Sequence, residues 1–248
     1  MDRFIAYSPS SRESLKLANL ASTLPLNCII VGSKAVGKNH LAKVVSPSAR
    51  SYEALELEKS IFDNNIDFSS IIEIIITNIY KLKSSKNIFD ILESNSIRVI
   101  ATTTEYKDIY DDYFQVRIDV EDLSKRREDV EYLKEEYIKD AKRLFMIDGD
   151  FDDIEIDISE NAISLRQSIF RSILLNSLKK EQIMEILESF FKKELPIQSS
   201  YKELLPIFEI PLLKASKKVF RSQLQMAKKL DINRNTLRKK LMENGIDG

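Results

Sequence analysis

The stretch "IIVGSKAVGKNH", residues 29–40, decides the reading of the whole chain. A short apolar run ends at Gly32, four residues intervene, and then Gly37 and Lys38 introduce a helical pattern. Glycine, four residues, glycine and lysine between a strand and a helix is the spacing of a phosphate-holding loop. Its backbone amides face an anion, and the lysine adds a point charge on the outer phosphates. Gly32, Gly37 and Lys38 are therefore the candidate nucleotide-binding residues. The residue after the lysine is Asn39, where the motif places a hydroxyl that holds magnesium. The loop marks a fold more strongly than it marks catalysis.

Working outward, "NCIIVG" fits a buried parallel strand, and "SLKLANLA" (14–21) before it fits a helix. "IIEIIIT" (71–77), "IRVIATTT" (97–104) and "FQVRIDV" (114–120) have the length and β-branched content of further strands. Helical stretches separate them, which predicts an α/β layer with a parallel sheet of the phosphate-loop type. After residue 120 the period changes. In "KRREDVEYLKEEYIKDAKRLF", Val130, Leu133, Tyr137, Ala141 and Leu144 recur at steps of three and four and predict one apolar helical face. "SENAISLRQSIFRSILLNSL" and "KKEQIMEILESFFKKEL" continue the helical pattern, with the two phenylalanines expected in the helical core and a partner surface as the alternative. "PIQSS" (196–200) has the composition of a boundary. The expected organisation is an α/β core over 1–124, a helical lid over 125–197 and a small helical domain over 198–248.

The chain has 248 residues and a formal net charge of -1, which conceals an asymmetry. From Tyr201 onward 11 Lys/Arg face 5 Asp/Glu, a net of +6, which leaves -7 on the first 200 residues. A basic terminal module on an acidic body points to nucleic acid. One cysteine, Cys28, and one histidine, His40, exclude an internal disulfide and a zinc site built from those residues. Cys28 is expected to pack, and no metal site is expected. No apolar run approaches the ~20 residues of a membrane span, and the start lacks a signal peptide's layout, so a cytoplasmic protein with no membrane partner is expected. The acidic run "DGDFDDIEID" (148–157) lacks the alternation and terminal glutamate of a calcium loop and reads as a solvated connection.

In the tail, "FRSQLQMAKKLDINRNTLRKKLMENGIDG" predicts a helix from about Ser222 to Leu230 burying Leu224, Ala227 and Leu230, a turn at "DIN", and a second helix capped by Asn233. Leu237 and Leu241 lie four apart on the inner face of that second helix, leaving Arg234, Asn235, Thr236, Arg238, Lys239 and Lys240 outside. Guanidinium and amide groups near the start of such a helix reach base edges, while lysines farther along neutralise phosphates. The unbroken "INRNTLRKKL" (232–241) resembles the Fis-type helix-turn-helix DNA-binding domain. The resemblance implies contacts to double-stranded DNA from Asn233, Arg234, Thr236, Arg238 and Lys239, and a homodimer formed through the preceding helix, "YKELLPIFEIPLLKASKK". Asp231 stands where that family has glycine, and Arg221-Ser222 replaces its Gly-Asn.

With that tail in view, the remainder resembles the sigma-54-dependent (NtrC-type) AAA+ transcription activators. "IAYSPSSRESLKLANLA" looks like their opening segment, "IRVIATTT" is similar to their "VRIIAATN", and "LSKRREDVEYL" to their "LRERREDIPLL", in the same order. The resemblance implies an AAA+-like α/β core, a helical lid and a Fis-type domain. It also places the departures at the chemistry. Asn39 replaces a glutamate. Aligning "IIITNIYKL" with "LFLDEIGDL" puts Thr77 and Asn78 on the acidic pair that organises magnesium and activates water. Thr104 replaces the asparagine sensor, Arg117 matches one trans-acting arginine, Asp111 occupies the position of the other, and the lid arginine has no equivalent, Ile163 being nearest. Residues 56–76 are all that separate "ARSYEAL" from Thr77, too few for the family's "GAFTGA" loop that touches the sigma factor. Losing a general base typically costs ~10²- to 10⁴-fold in rate. The expectation is a sequence-specific DNA-binding regulator that is not an ATP-driven activator and not an enzyme. It requires no cofactor, and ATP or ADP sits in the cradle without hydrolysis. Co-assembly with an active sigma-54 activator is an expected partnership. The alternatives are an ATP-dependent activator with a rearranged site using Glu73 or Glu105, and a protein-interaction scaffold using the core.

Overall fold

The structure, a computed structural model, describes residues 3–151, 154–197 and 200–246. The acidic run 148–157 and the boundary 196–200 fall partly outside the described residues. The chain divides into two compact units, Met1–Ser177 and Leu178–Gly248.

The first unit opens with α1 (Pro9–Ser22), which carries proline in its first turn, where no backbone donor is needed. Then follow β1 (Cys28–Val31), α2 (Lys38–Val45), β2 (Arg50–Glu53), α3 (Ala54–Phe62), β3 (Glu73–Thr77), α4 (Ser85–Ser94), β4 (Arg98–Thr103) and β5 (Val116–Asp119). All strand pairs are parallel, in the order β2-β3-β4-β1-β5, with Ile30 opposite Thr102 on one side and Ile118 on the other. Strand alternation explains why the apolar runs are continuous. Ile29, Ile74, Ile76, Val99 and Ala101 enter the core covered by α3 and α4, while Cys28, Ile30, Ile75, Ile100 and Ile118 enter the core covered by α1 and α2. Both faces are buried, so a polar alternation would be costly on either side. The expected strands at 27–32, 71–77, 97–104 and 114–120 are all present with shorter ends. The edge strand β2, Arg-Ser-Tyr-Glu, has no apolar run because only one side of it is paired.

Helices α5 (Arg127–Phe145) and α6 (Ala162–Ser177) close a third core with Ile5 and Leu123. Val130, Leu133, Tyr137 and Ala141 are buried as their spacing requires, but Leu144 is 63% exposed. The inner face drifts with the 3.6-residue period, and Phe145, four residues after Ala141, packs in its place.

The second unit holds α7 (Lys180–Glu194), α8 (Tyr201–Val219), α9 (Gln223–Lys229) and α10 (Arg234–Glu243). Leu213 of α8, Met226 and Ala227 of α9, and Leu237 and Leu241 of α10 meet in one small core with Ile246. Two expectations are corrected here. Leu224 is exposed and Met226 is buried instead, because the helix turns its 226/227 edge toward α8 and α10. The phenylalanines of "ILESFFKKEL" are not core: α7 has no buried residue, and Phe190 packs edge-on against its own neighbour Phe191.

Candidate nucleotide cradle and candidate nucleic-acid interface

Strand order reverses at β1, which lies between β4 and β5 although the chain leaves it for β2 at the far edge. In open parallel sheets the crevice beyond the carboxyl ends of the strands at such a point is where ligands bind. The loop Gly32–Gly37 occupies it. A side chain at Gly32 would place its Cβ 2.6 Å from the Val120 carbonyl oxygen, so the loop can leave the sheet this closely only as glycine. Gly37 has φ +104° and caps α2, and Ala35 also takes a left-handed conformation, φ 61°. The backbone bend that exposes a row of amides is therefore built.

The lysine is turned inward. Lys38 is buried, and its ammonium donates to the carbonyl oxygens of Gly32 at 2.7 Å and Ser33 at 2.6 Å. Burial lowers its pKa to about 8, against a smaller opposing effect of the Asp122 charge. The same burial pushes the Cys28 thiol up to about 12, so that cysteine is inert packing as expected.

Two residues that the sequence did not single out hold the cradle. Arg126, 2% exposed, donates to the carbonyls of Val36 at 2.8 Å and Ile5 at 3.0 Å and pairs with buried Asp129 at 2.7 Å. Asp129 in turn accepts from the backbone of Tyr7 at 2.5 Å and Ser8 at 2.9 Å. This pair fastens the opening segment, the loop and α5 together. Asn161, in a left-handed conformation ahead of α6, accepts from Leu123 N at 2.7 Å and donates to the Lys34 carbonyl at 3.1 Å. In sequence Arg126 sits in "SKRRED", where nothing separates a clamp from a solvated charge.

A cavity of about 900 Å³ lies over the loop, within the first unit. Phe4, Ile5, Leu133 and Tyr137 supply its apolar wall, and Ser33 through His40 its loop wall. Asn78 and Thr104 line it, as does one carboxylate among the described residues, Glu105. Glu73 does not; it is hydrogen-bonded to Ser46 and paired with Arg98 at 3.0 Å. Thr77 also stands outside the lining, its hydroxyl donating to the Tyr52 carbonyl at 3.2 Å. Asn39 accepts from the Thr102 hydroxyl at 3.1 Å. Arg117 is folded onto its own strand, bonded to Asp119 at 2.8 Å with its guanidinium 4.1 Å from the Tyr106 ring centre. Asp111 accepts from the Tyr106 hydroxyl at 2.5 Å. Ile163 stands one residue beyond the lining residue Ala162.

In the second unit, α9 is capped by Ser222, whose hydroxyl accepts from Gln225 N at 3.3 Å while the Gln225 side chain accepts from Arg221 N at 3.1 Å. The Arg221-Ser222 departure thus retains a helix start. Asp231 takes φ 52°, the left-handed conformation its side chain tolerates, and the Asn233 carboxamide caps α10 by accepting from Asn235 N at 2.8 Å. Leu237 and Leu241 are buried, and Arg234, Asn235, Thr236, Arg238 and Lys239 are exposed along one side of α10. Lys239 has only a loose neighbour, Glu243 at 3.7 Å. Lys240 differs from the rest of the candidate row: it is half-buried and ion-paired with Glu209 of α8.

No known protein family matches the chain by sequence, and no curated protein is similar to it at that level. Solved structures do match. The chain is similar to NtrX from Brucella abortus in complex with ADP, at 15% identity and a TM-score of 0.56, covering 99% of this chain and 69% of that one. It is similar to two other structures of the same protein, one without a named ligand (15% identity, TM-score 0.54) and one in complex with ATP (14%, TM-score 0.52), each over 97% of this chain and 69% of that one. With the five-stranded parallel sheet, these likenesses define an AAA+-like α/β fold. Among the described residues no helix is long and apolar enough to cross a membrane, and no group of three or more acidic, histidine or cysteine side chains could hold a metal ion.

Proposed function

We propose that the chain is a DNA-binding transcriptional regulator whose AAA+-like core resembles that of sigma-54 activators but does not turn over ATP. The observation that carries this reading is the contrast in side-chain commitment. The candidate row on α10 is exposed and, but for Lys240, lacks close ion pairs among the described residues, as a surface reserved for phosphates and base edges requires. The groups at the positions of the hydrolytic machinery are neutral or tied down internally: Thr77 to Tyr52, Asn39 to Thr102, and Arg117 to Asp119. The partner is double-stranded DNA. Tyr201, Phe208 and Leu212 leave apolar surface on α8, which supports a homodimer through the C-terminal domain and a roughly palindromic site. Such a regulator acts in the cytoplasm by competing for activator sites or by co-assembling with an active sigma-54 activator. Footprinting with the full chain and with a chain ending at residue 200 tests the reading. Salt-sensitive protection by the full chain alone is expected, and equal behaviour of the two defeats it.

One observation favours the hydrolytic alternative. Glu105 lines the cavity and is the one acid among its described lining residues. That alternative requires magnesium-dependent phosphate release that disappears in Lys38→Ala.

A further inference from the structure

The AAA+-like fold brings with it the expectation of magnesium beside the nucleotide, and the donors around this cradle do not fit that ion. Mg²⁺ demands near-ideal octahedral oxygen ligation and is usually held through one or two carboxylates plus the phosphates. In phosphate-loop proteins its protein oxygens come from the residue after the lysine and from an acid at the end of the strand equivalent to β3. Here the first is Asn39, whose carboxamide oxygen already accepts the Thr102 hydroxyl at 3.1 Å. The second is Thr77, whose hydroxyl donates to the Tyr52 carbonyl and does not line the cavity. Asn78, which does line it, is neutral.

The charge balance of the lining runs the other way. Among the described residues five cationic side chains, Arg3, Lys34, Lys38, Lys81 and Arg126, line the cavity with one carboxylate, Glu105, and Asp122 acts on Lys38 from outside the lining. Arg126 is neutralised by Asp129 and Lys81 by Glu53 at 3.0 Å. The other three have no ion pair among the described residues: Arg3 donates to the Tyr132 hydroxyl at 2.7 Å, Lys38 to two carbonyls, and Lys34 lies on the loop itself. A divalent cation added to this lining meets three positive charges without ion pairs against the one lining carboxylate, Glu105, and few oxygens to ligate it. A polyphosphate without its metal meets compensation.

We infer that the cradle takes a nucleoside di- or triphosphate free of magnesium, with Lys38, Lys34 and Arg3 supplying the countercharge that the metal provides elsewhere. The inference rests on reading Gly32–Lys38 as a nucleotide cradle. It reverses the usual preference, since the metal competes for the ligand's oxygens in solution and lowers the concentration of the species that binds.

Isothermal titration of the full chain with ATP and with ADP, once in EDTA and once in excess magnesium, decides it. The expected dissociation constant in EDTA is equal to or lower than that in magnesium. Lys38→Ala weakens binding about tenfold or more in both buffers, one tenfold step being about 1.4 kcal/mol. Arg3→Ala, on an exposed side chain outside the sheet, weakens binding more in EDTA than in magnesium, and Asn39→Glu makes binding depend on the metal. Wild-type binding more than about threefold tighter in magnesium overturns the inference and leaves a nucleotide cradle of the usual kind. Absence of binding in both buffers overturns the inference together with the cradle reading.

Discussion

The phosphate loop and the second helix of the tail are the two stretches in which the sequence is most specific, and the structure treats them in opposite ways. Around the loop the backbone keeps the bend that the glycines permit, while the side chains at working positions bond to one another or to carbonyls. On α10 the leucines alone are committed to the core, and the polar row between them faces outward. The backbone bend at the loop is required by the fold itself, whereas outward polar side chains add little to the core and are free to meet a ligand. The difference teaches where to look for activity in this molecule.

The sharpest way to break the comparison is at the joint that holds the cradle. Arg126→Ala leaves Asp129 charged and buried, which typically costs ~3 to 5 kcal/mol. Denaturant unfolding should show that loss, with nucleotide binding lost alongside it and DNA binding of the folded fraction retained. Next in size, Arg234→Ala or Arg238→Ala should weaken specific DNA binding by ~1 to 3 kcal/mol in gel-shift titrations if each meets a base edge. Binding unchanged in both variants would move the interface off α10. Third, nucleotide affinity should fall as pH rises above about 8, by up to about tenfold per unit. The sign follows from Lys38: burial lowers its folded-state pKa to about 8, the phosphate requires the charged form, and above that pH a proton must be taken up on binding. Titrations at pH 7 and pH 9 compare the two regimes, and equal affinities would show that Lys38 does not meet the phosphate. The smallest expected effect separates neighbours on α10. Lys239→Ala should reduce the salt slope of DNA binding by about one counterion. Lys240→Ala should leave that slope unchanged and cost ~0 to 1 kcal/mol of stability through its pair with Glu209.

The sheet was legible because both of its faces are covered, so each central strand carries consecutive apolar residues, whereas β2 at the edge carries no such mark. The loop was legible because Gly32 and Gly37 answer to steric needs that no other residue meets as well. The two short helices of the tail were legible down to the Asn233 cap, but Leu224 and Met226 exchanged roles, since a seven-residue helix presents two apolar edges and packing against α8 chooses between them. Arg126, Asp129 and Asn161 were hidden because their roles depend on backbone carbonyls and amides 38 to 127 residues away, which no local pattern encodes. Lys240 looked like its neighbours until α8 brought Glu209 to it.

The proposed regulator binds DNA through its tail beside a core that does not turn over ATP. That combination is tested most directly by steady-state phosphate release from ATP in magnesium, with full-length protein and with Lys38→Ala, in the presence of DNA that the protein protects. The account predicts release at background for both proteins while the footprint persists. Sustained, magnesium-requiring release by the wild type that vanishes in Lys38→Ala would contradict it.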